Sequence, residues 1–364
     1  MGEGLEAARA LLPGVRLEVD ARLGSGERTT VERLRATYRD GTRGGLVVKR
    51  YHTAGEGWVR ETAALAVLPP AAGGPRLVAA GAVPPVVVTV DAGARPSVAD
   101  ALLGPDPDAA RQAVVDWAAA VARLHVATRD LRPAFRQALA ERQGDLPVAD
   151  APMAAGVEDA VRVLDRECGA LGVRVPDGAF EELRELPRRL AAGPSALSPA
   201  DTCPDNNVRT PDGLVLLDFE DAQWRPVAWD VAYLKVPWPT CWCSWRMPEE
   251  VIRAGVRAYR AVAVEGFPEV AAPEFDRTLT AAAMGWALIS TSLFIDNALG
   301  SDPTLNPGRP TPTRRAMILH RLAAAGASAE LPAVAELARR LRAVLHERWG
   351  DVPLAFARAF RRDQ

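Results

Sequence analysis

A net charge of −2 spread over 364 residues leaves no basic field that would draw this chain to nucleic acid or an acidic membrane surface. At 48% hydrophobic and 25% charged residues, the composition is that of a globular enzyme long enough for two lobes around a large core. Apolar runs such as Val83–Val90 and Leu214–Leu217 are too short to cross a bilayer, and MGEGLEAARALLPG lacks the pattern of a secretory leader, so a cytoplasmic location is expected.

Residues 15–38, VRLEVDARLGSGERTTVERLRATY, read as two strands around a Gly-rich turn, with Val31, Leu34 and Tyr38 suited to the returning strand. RDGTRGG (39–45) is a turn cluster, and LVVKRY (46–51) is a third strand that carries Lys49. GEGWVRETAALAVL (55–68) sets Trp58, Thr62, Leu65 and Leu68 at helical spacing, and the Pro/Gly run 69–75 stops it. RLVAAGAVPPVVVTVDAG adds two strands. Residues 1–95 therefore read as a small strand-rich lobe with one helix. From about residue 97 helix dominates, and 96–364 reads as the larger lobe. DAARQAVVDWAAAVARLHVA (108–127) is long and amphipathic, 128–196 is a helical insertion divided by Gly and Pro, and 278–299 is the clearest later helix. A short strand at 213–217 interrupts it. The turn-rich 300–313 is the best candidate for a mobile loop. The fold class expected is α+β.

Rare residue types point to special positions. Only Lys49 and Lys235 are lysine among 44 basic residues, so a surviving lysine suggests a need for a compact ammonium. The four asparagines include the adjacent pair Asn206 and Asn207. Four cysteines (Cys168, Cys203, Cys241, Cys243) are too few for a disulfide framework. Cys241-Trp242-Cys243 lacks the second close Cys/His pair of a closed zinc site, so buried free thiols are expected.

Phosphoryl transfer from ATP asks four things of a protein: backbone over the phosphates, a cation on them, acceptors for Mg²⁺, and a carboxylate that orients the attacking hydroxyl. The chain supplies all four in one order. Gly24, Ser25 and Gly26 lie in a strand turn, Lys49 on the third strand and Glu61 on the next helix; Asp201, Asn206 and Asp218 follow.

This order resembles that of the aminoglycoside phosphotransferase and choline kinase-like branch of the protein-kinase-like superfamily. There the motif is His-Gly-Asp, four residues and Asn, then a strand and Asp-Phe or Asp-Trp. LLDFEDAQWRPVAWDVAYL (216–234) is similar to the family segment that follows, with Asp230 at a structural Asp. The resemblance covers about 25–300 as an ordered set of motifs. It implies a bilobal kinase-like fold with a small antiparallel lobe and a mainly helical one. It implies ATP and Mg²⁺, Asp201 as base, Asn206 and Asp218 as metal ligands, and Lys49 on the phosphates with Glu61 as its ion-pair partner. TVDAG (89–93) falls at the adenine-binding hinge, where the backbone of Val90 and Ala92 would hold the base. Glu220, Asp221 and Asp296 hint at a cationic acceptor.

The chain departs from the pattern in two places. Pro199-Ala200 replaces the loop-bracing His-Gly, and Cys203 stands where relatives often place a charged residue near the phosphate. Arg209, Lys235 or Arg246 are the available compensating cations.

Each residue also has a plainer reading. Lys49 alone suits an edge strand, Glu61 a solvated helix face with Glu56 as alternative partner, the glycines a simple hairpin, and Asp201 and Asn206 a helix cap. Their joint order favours chemistry. The expected function is phosphorylation of a hydroxyl on a small molecule. The rivals are a kinase acting on a peptide or protein and a nucleotide-binding pseudokinase.

Overall fold

The structure, a computed structural model, describes residues 3–148, 152–302 and 309–361. Five strands, β1 (Arg16–Ser25), β2 (Thr29–Thr37), β3 (Arg43–Tyr51), β4 (Leu77–Ala82) and β5 (Pro85–Val90), form an antiparallel sheet in the order β1-β2-β3-β5-β4. Alternation gives the sheet two faces. Leu17, Leu34, Leu46, Val48 and Val88 are buried on one, under a helix α1 (Glu3–Leu11) that supplies Leu5, Ala7 and Ala8. Lys49 pairs with Val31 on β2 and Val87 on β5, and these occupy the opposite face. The sheet is thus covered by α1 on one side, while its other face carries Lys49 and packs Tyr51 and Val87 into the main core.

Helix α1 was not expected; the small lobe was read with one helix. Its signal is weak because nine residues offer little periodicity, and its stability comes from the sheet it covers. The expected helix is α2 (Glu56–Val67), whose Trp58, Val59, Ala63 and Leu65 are buried.

The larger part is helical: α3 (Val98–Leu103), α4 (Pro107–Thr128), α5 (Arg132–Gln143), α6 (Pro152–Ala170) and α7 (Ala179–Ala191). Two short hairpin-like sheets follow, made by β6 (Ser195–Ser198), β7 (Asn207–Thr210), β8 (Gly213–Leu216) and β9 (Gln223–Pro226). β6 pairs with β9 and β7 with β8. Only β8 was expected. Four-residue strands carry too little alternation to be read from sequence. After α8 (Ala228–Val231) come α9 (Glu249–Ala263), α10 (Glu274–Leu299), α11 (Arg314–Gly326) and α12 (Pro332–Trp349). Much of the loop expected at 300–313 lies outside the described residues.

Helix α10 is long and apolar enough to span a membrane, which the shorter apolar runs did not suggest, but 78% of its most apolar window is buried inside the protein. It is a core helix. Gly285 lets it approach its neighbours: a Cβ there would sit 2.4 Å from Leu186 Cδ2 and 2.9 Å from the Trp229 ring.

His320 on α11 gives the fold an acid-sensitive point. Burial, with the charges of Arg246 and Arg321, pushes its imidazole down to about 4. The unfolded chain takes up the proton near pH 6.5 and the folded chain only near the lower value, so stability falls as pH drops through that window. We expect His320→Gln to remove about 1–2 kcal/mol of the loss between pH 7 and 5, after discounting for partial exposure. Urea unfolding at both pH values checks this, and parallel losses in both proteins would refute it.

Candidate active site

Three carboxylates converge on Lys49 on the face of the sheet away from α1. Its Nζ lies 3.2 Å from Glu61 Oε2 on α2, 2.6 Å from Asp218 Oδ1 and 2.9 Å from Glu220 Oε2, the latter two just beyond β8. Burial would push the ammonium down; the charges of Glu61, Asp218 and Glu220 overturn this and hold it well above its ordinary value. Burial raises Glu61, against the pull of Lys49, and Tyr51 donates its hydroxyl to the same Glu61 oxygen. Lys49 is a permanent cation tied across the two lobes.

Asp218 has φ +61, a left-handed conformation that Asp tolerates better than most residues but which still costs on the order of 1 kcal/mol. Buried Phe219 anchors the turn, while the Asp218 carboxylate stays partly exposed beside Lys49.

The loop from Ser198 to Asn207 is held at nearly every carbonyl. That of Ala200 accepts from Arg225 Nη2 (2.9 Å) and the Tyr233 hydroxyl (3.2 Å), and that of Thr202 accepts from the Trp117 indole (3.0 Å). The Cys203 carbonyl takes the Asn206 amide (3.0 Å), and the Pro204 carbonyl takes Asn207 Nδ2 (2.8 Å) and the Ala99 amide (2.8 Å). Asn207 Oδ1 accepts from the Val98 amide at 3.0 Å, so this residue braces the loop. Ala200 has φ +69, the left-handed region that favours glycine, at the position where the resemblance implies one. Its amide donates to Ser198 Oγ, and Ser198 in turn donates to Asp230. Arg225, Ser198, Tyr233 and Asp230 together brace the loop.

So supported, the loop presents Asp201. Asn206 Nδ2 donates to its backbone carbonyl (3.0 Å) and its Oδ2 (3.2 Å), and Thr240 donates its hydroxyl to Oδ1 (3.0 Å). Burial raises the carboxyl to about 6; the Thr240 bond opposes this, while Asp218, Asp221 and Asp205 add to it. A carboxylate in that range is ionised at neutral pH and basic enough to take a hydroxyl proton. Asn206 Oδ1 has no hydrogen-bond partner among the described residues. Like the partly exposed Asp218 carboxylate, it is an oxygen donor, the chemistry that Mg²⁺ prefers.

The Gly-rich turn closes through the Gly26 amide on the Thr29 carbonyl (2.9 Å), and Arg28 reaches Glu220 Oε1 at 2.7 Å. Nothing lies within 4 Å of where a Cβ on Gly24 or Gly26 would stand, so packing does not demand these glycines and a ligand has room to approach the backbone.

The sequence matches the phosphotransferase enzyme family (APH) over residues 31–273, two thirds of the chain. The chain belongs to this family. The expected enzyme class, a phosphotransferase, is borne out. Among solved structures, this phosphotransferase is similar to a Plasmodium vivax ethanolamine kinase at 12% identity and TM-score 0.53, covering 79% of this chain and 80% of that one. A choline/ethanolamine kinase family protein from Mesorhizobium loti is similar at 18% identity and TM-score 0.49, covering 89% and 92%. A macrolide 2′-phosphotransferase from Brachybacterium faecium is similar at 20% identity and TM-score 0.47, covering 91% and 98%. No curated protein matches in sequence. The first likeness shows the fold, the bilobal protein-kinase-like one expected.

Other residues of this phosphotransferase lie apart from the cluster. Asp296 pairs with Arg166 at 2.8 Å on the exposed faces of α6 and α10 and touches none of the cluster, whereas Asp221 is exposed beside Glu220. Arg209 bonds Asp116 and Lys235 bonds Thr280, and Arg246 stacks on Phe356, so none offers the compensating cation. At the hinge, the Val90 amide is spent on the Arg76 carbonyl (2.9 Å), while that of Ala92 has no partner among the described residues. Trp238 and Trp245 are core residues; Trp242 donates to Asp205.

The cysteine expectation needs correction. Cys203 and Cys241 are joined by a disulfide, with Cα atoms 6.0 Å apart, and only Cys168 and Cys243 are free buried thiols. The 38-residue separation gives no local signal, since the pairing follows from two loops meeting beside Asp201.

Proposed function

We propose that this protein transfers the γ-phosphate of ATP to a hydroxyl of a small molecule, with Mg²⁺. What supports this reading most is Lys49 tied to both Glu61 and Asp218 while a separate, loop-held carboxylate, Asp201, carries no cation. In it, residues 1–95 hold the nucleotide and 96–364 carry the catalytic loop. Backbone at Gly24, Ser25 and Gly26 covers the phosphates, the Val90 carbonyl and Ala92 amide hold the base, and Lys49 exchanges Asp218 for the phosphates. Asn206 and Asp218 would hold Mg²⁺, which supplies charge neutralisation on the transferred phosphoryl group. Asp201 orients the acceptor hydroxyl and takes its proton. Glu220 and Asp221 would suit a cationic acceptor of the amino-alcohol or aminoglycoside kind, and a cytoplasmic setting would supply the ATP.

Calorimetric titration with ATP, with and without Mg²⁺, tests the reading. Binding is expected only with the metal, and Asp218→Ala should weaken it at least about tenfold. Equal affinity in wild type and variant would count against the assignment.

A further inference from the structure

The Cys203–Cys241 bond lies against the group that the proposed chemistry depends on. Cys203 Sγ is 3.1 Å from Asp201 Oδ1 and Cys241 Sγ is 3.9 Å from the same oxygen, while Thr240, next to Cys241, donates to that oxygen at 3.0 Å. The 238–245 segment has few other ties to the catalytic loop. Those that the structure records are Trp242 to Asp205 (2.5 Å) and a 3.9 Å approach of Cys243 Sγ to Asp205 Oδ1, while Thr240 also lies 3.0 Å from the hydroxyl of Tyr233, outside the loop. The disulfide is the only covalent one among the described residues.

We propose that the Cys203–Cys241 pair is a reversible redox site that sets the position of Thr240 against Asp201, with the disulfide form the more active. This rests on the phosphotransferase reading of Asp201. Reduction by a dithiol proceeds by exchange: thiolate attack opens the protein disulfide, a mixed disulfide forms, and the second reductant thiol closes on the first. Two electrons and two protons pass to the protein as two thiols, and the reductant leaves as its own disulfide. Two effects then meet at Asp201. The bonded sulfurs part, so the segment carrying Thr240 loses its one covalent tie to the loop and is held there by hydrogen bonds alone, chiefly Trp242 to Asp205. The new Cys203 thiol also acquires a proton that it can donate to Oδ1, competing with the acceptor hydroxyl for the same lone pairs.

The other two cysteines do not share this role. Burial pushes the Cys168 thiol up to about 11, and it pushes that of Cys243 far higher, so neither is a ready nucleophile. Disulfides in a reducing compartment are characteristically transient and redox-sensing. Both bonded sulfurs sit in residues only 4% exposed, which makes a small dithiol the suitable reductant and slow exchange the expected kinetics.

The test uses the full chain equilibrated in oxidised and in reduced dithiothreitol. Thiol counting on the denatured protein should give two thiols oxidised and four reduced, with a peptide map joining Cys203 to Cys241. Acceptor-independent hydrolysis of Mg·ATP should fall at least about tenfold on reduction, the scale of misplacing a catalytic group, with Mg·ATP affinity unchanged within about twofold. Thr240→Val should show the reduced-form rate in both buffers and Thr240→Ser should keep the response. A Cys203→Ser/Cys241→Ser variant should be slow and indifferent to reductant. Four thiols in both buffers, hydrolysis that differs less than twofold, or no hydrolysis in the oxidised form overturns the proposal. So does one zinc bound per reduced chain, because Asp201, Cys203 and Cys241 have ligand atoms within 4.8 Å of one another and would then be a metal site. Absence of Mg·ATP binding in both redox states sinks the phosphotransferase reading and takes this proposal with it. Binding with redox-indifferent hydrolysis sinks this proposal alone.

Discussion

Asp201→Ala is expected to lose phosphoryl transfer by about 10²- to 10⁴-fold while Mg·ATP still binds, the range over which a positioned general base contributes. The two halves of this outcome follow from separate sets of contacts. Asp201 is bonded to Thr240 and Asn206, and it makes no bond to Lys49 or Asp218. Removing its carboxylate therefore leaves the proposed phosphate and metal groups in place, apart from one hydrogen bond to Asn206. Asp201→Asn should lose as much rate: its amide keeps the shape and can still accept from Thr240, but it cannot take a proton. That comparison separates proton transfer from loop positioning, because a purely positioning role would let Asn rescue Ala. The readout is hydrolysis of Mg·ATP, or transfer to whichever hydroxyl acceptor a screen with labelled ATP returns. Full activity in the Ala variant would remove Asp201 from the mechanism.

What could be read from the sequence was whatever is encoded locally. The Gly24–Gly26 turn, Lys49 and Glu61 lie on successive elements, and the spacing from Asp201 to Asn206 is set by one short loop. Asp218 closes a recognisable strand-end pattern. Even so, the cue from lysine rarity worked only at one of two positions: Lys49 stands at the centre of the cluster, while Lys235 bonds Thr280 away from it. The bracing of the loop was not legible. Thr240 is 39 residues from Asp201, and Arg225 reaches the Ala200 carbonyl across 25. Such contacts depend on how β6, β9 and the 238–245 segment pack, and those elements are too short to announce themselves by periodicity. The departure at Pro199-Ala200 was visible, but its consequence was not. A left-handed alanine held by Ser198 and Arg225 replaces a braced His-Gly only once Asp230 is seen to hold both partners.

Asp230 therefore carries the second large expected effect, on stability. It is wholly buried and accepts from Arg225, from Ser198 Oγ at 2.9 Å and from His125 Nε2 at 2.9 Å. Burial would raise its carboxyl; the Arg225 charge and the His125 hydrogen bond overturn this and hold it far below the usual carboxylate range. Asp230→Ala leaves the Arg225 guanidinium, itself 2% exposed, without a counter-charge in the interior. We expect a loss of about 3–5 kcal/mol, the cost of breaking a buried pair from one side. Replacing both partners, as Arg225→Met with Asp230→Leu, should recover part of that loss, since no charge is then stranded. The pH dependence has a definite sign. The folded carboxyl sits below its unfolded value, so its contribution is complete above about pH 4 and is lost as pH falls toward the folded value. Urea unfolding of wild type and Asp230→Ala should differ most at pH 7 and converge toward pH 2. The double replacement should also regain stability without regaining activity, because Ala200 would still lack its Arg225 donor. A loss below about 1 kcal/mol at pH 7, or a gap that does not narrow between pH 7 and pH 2, would show that the pair does not hold this loop.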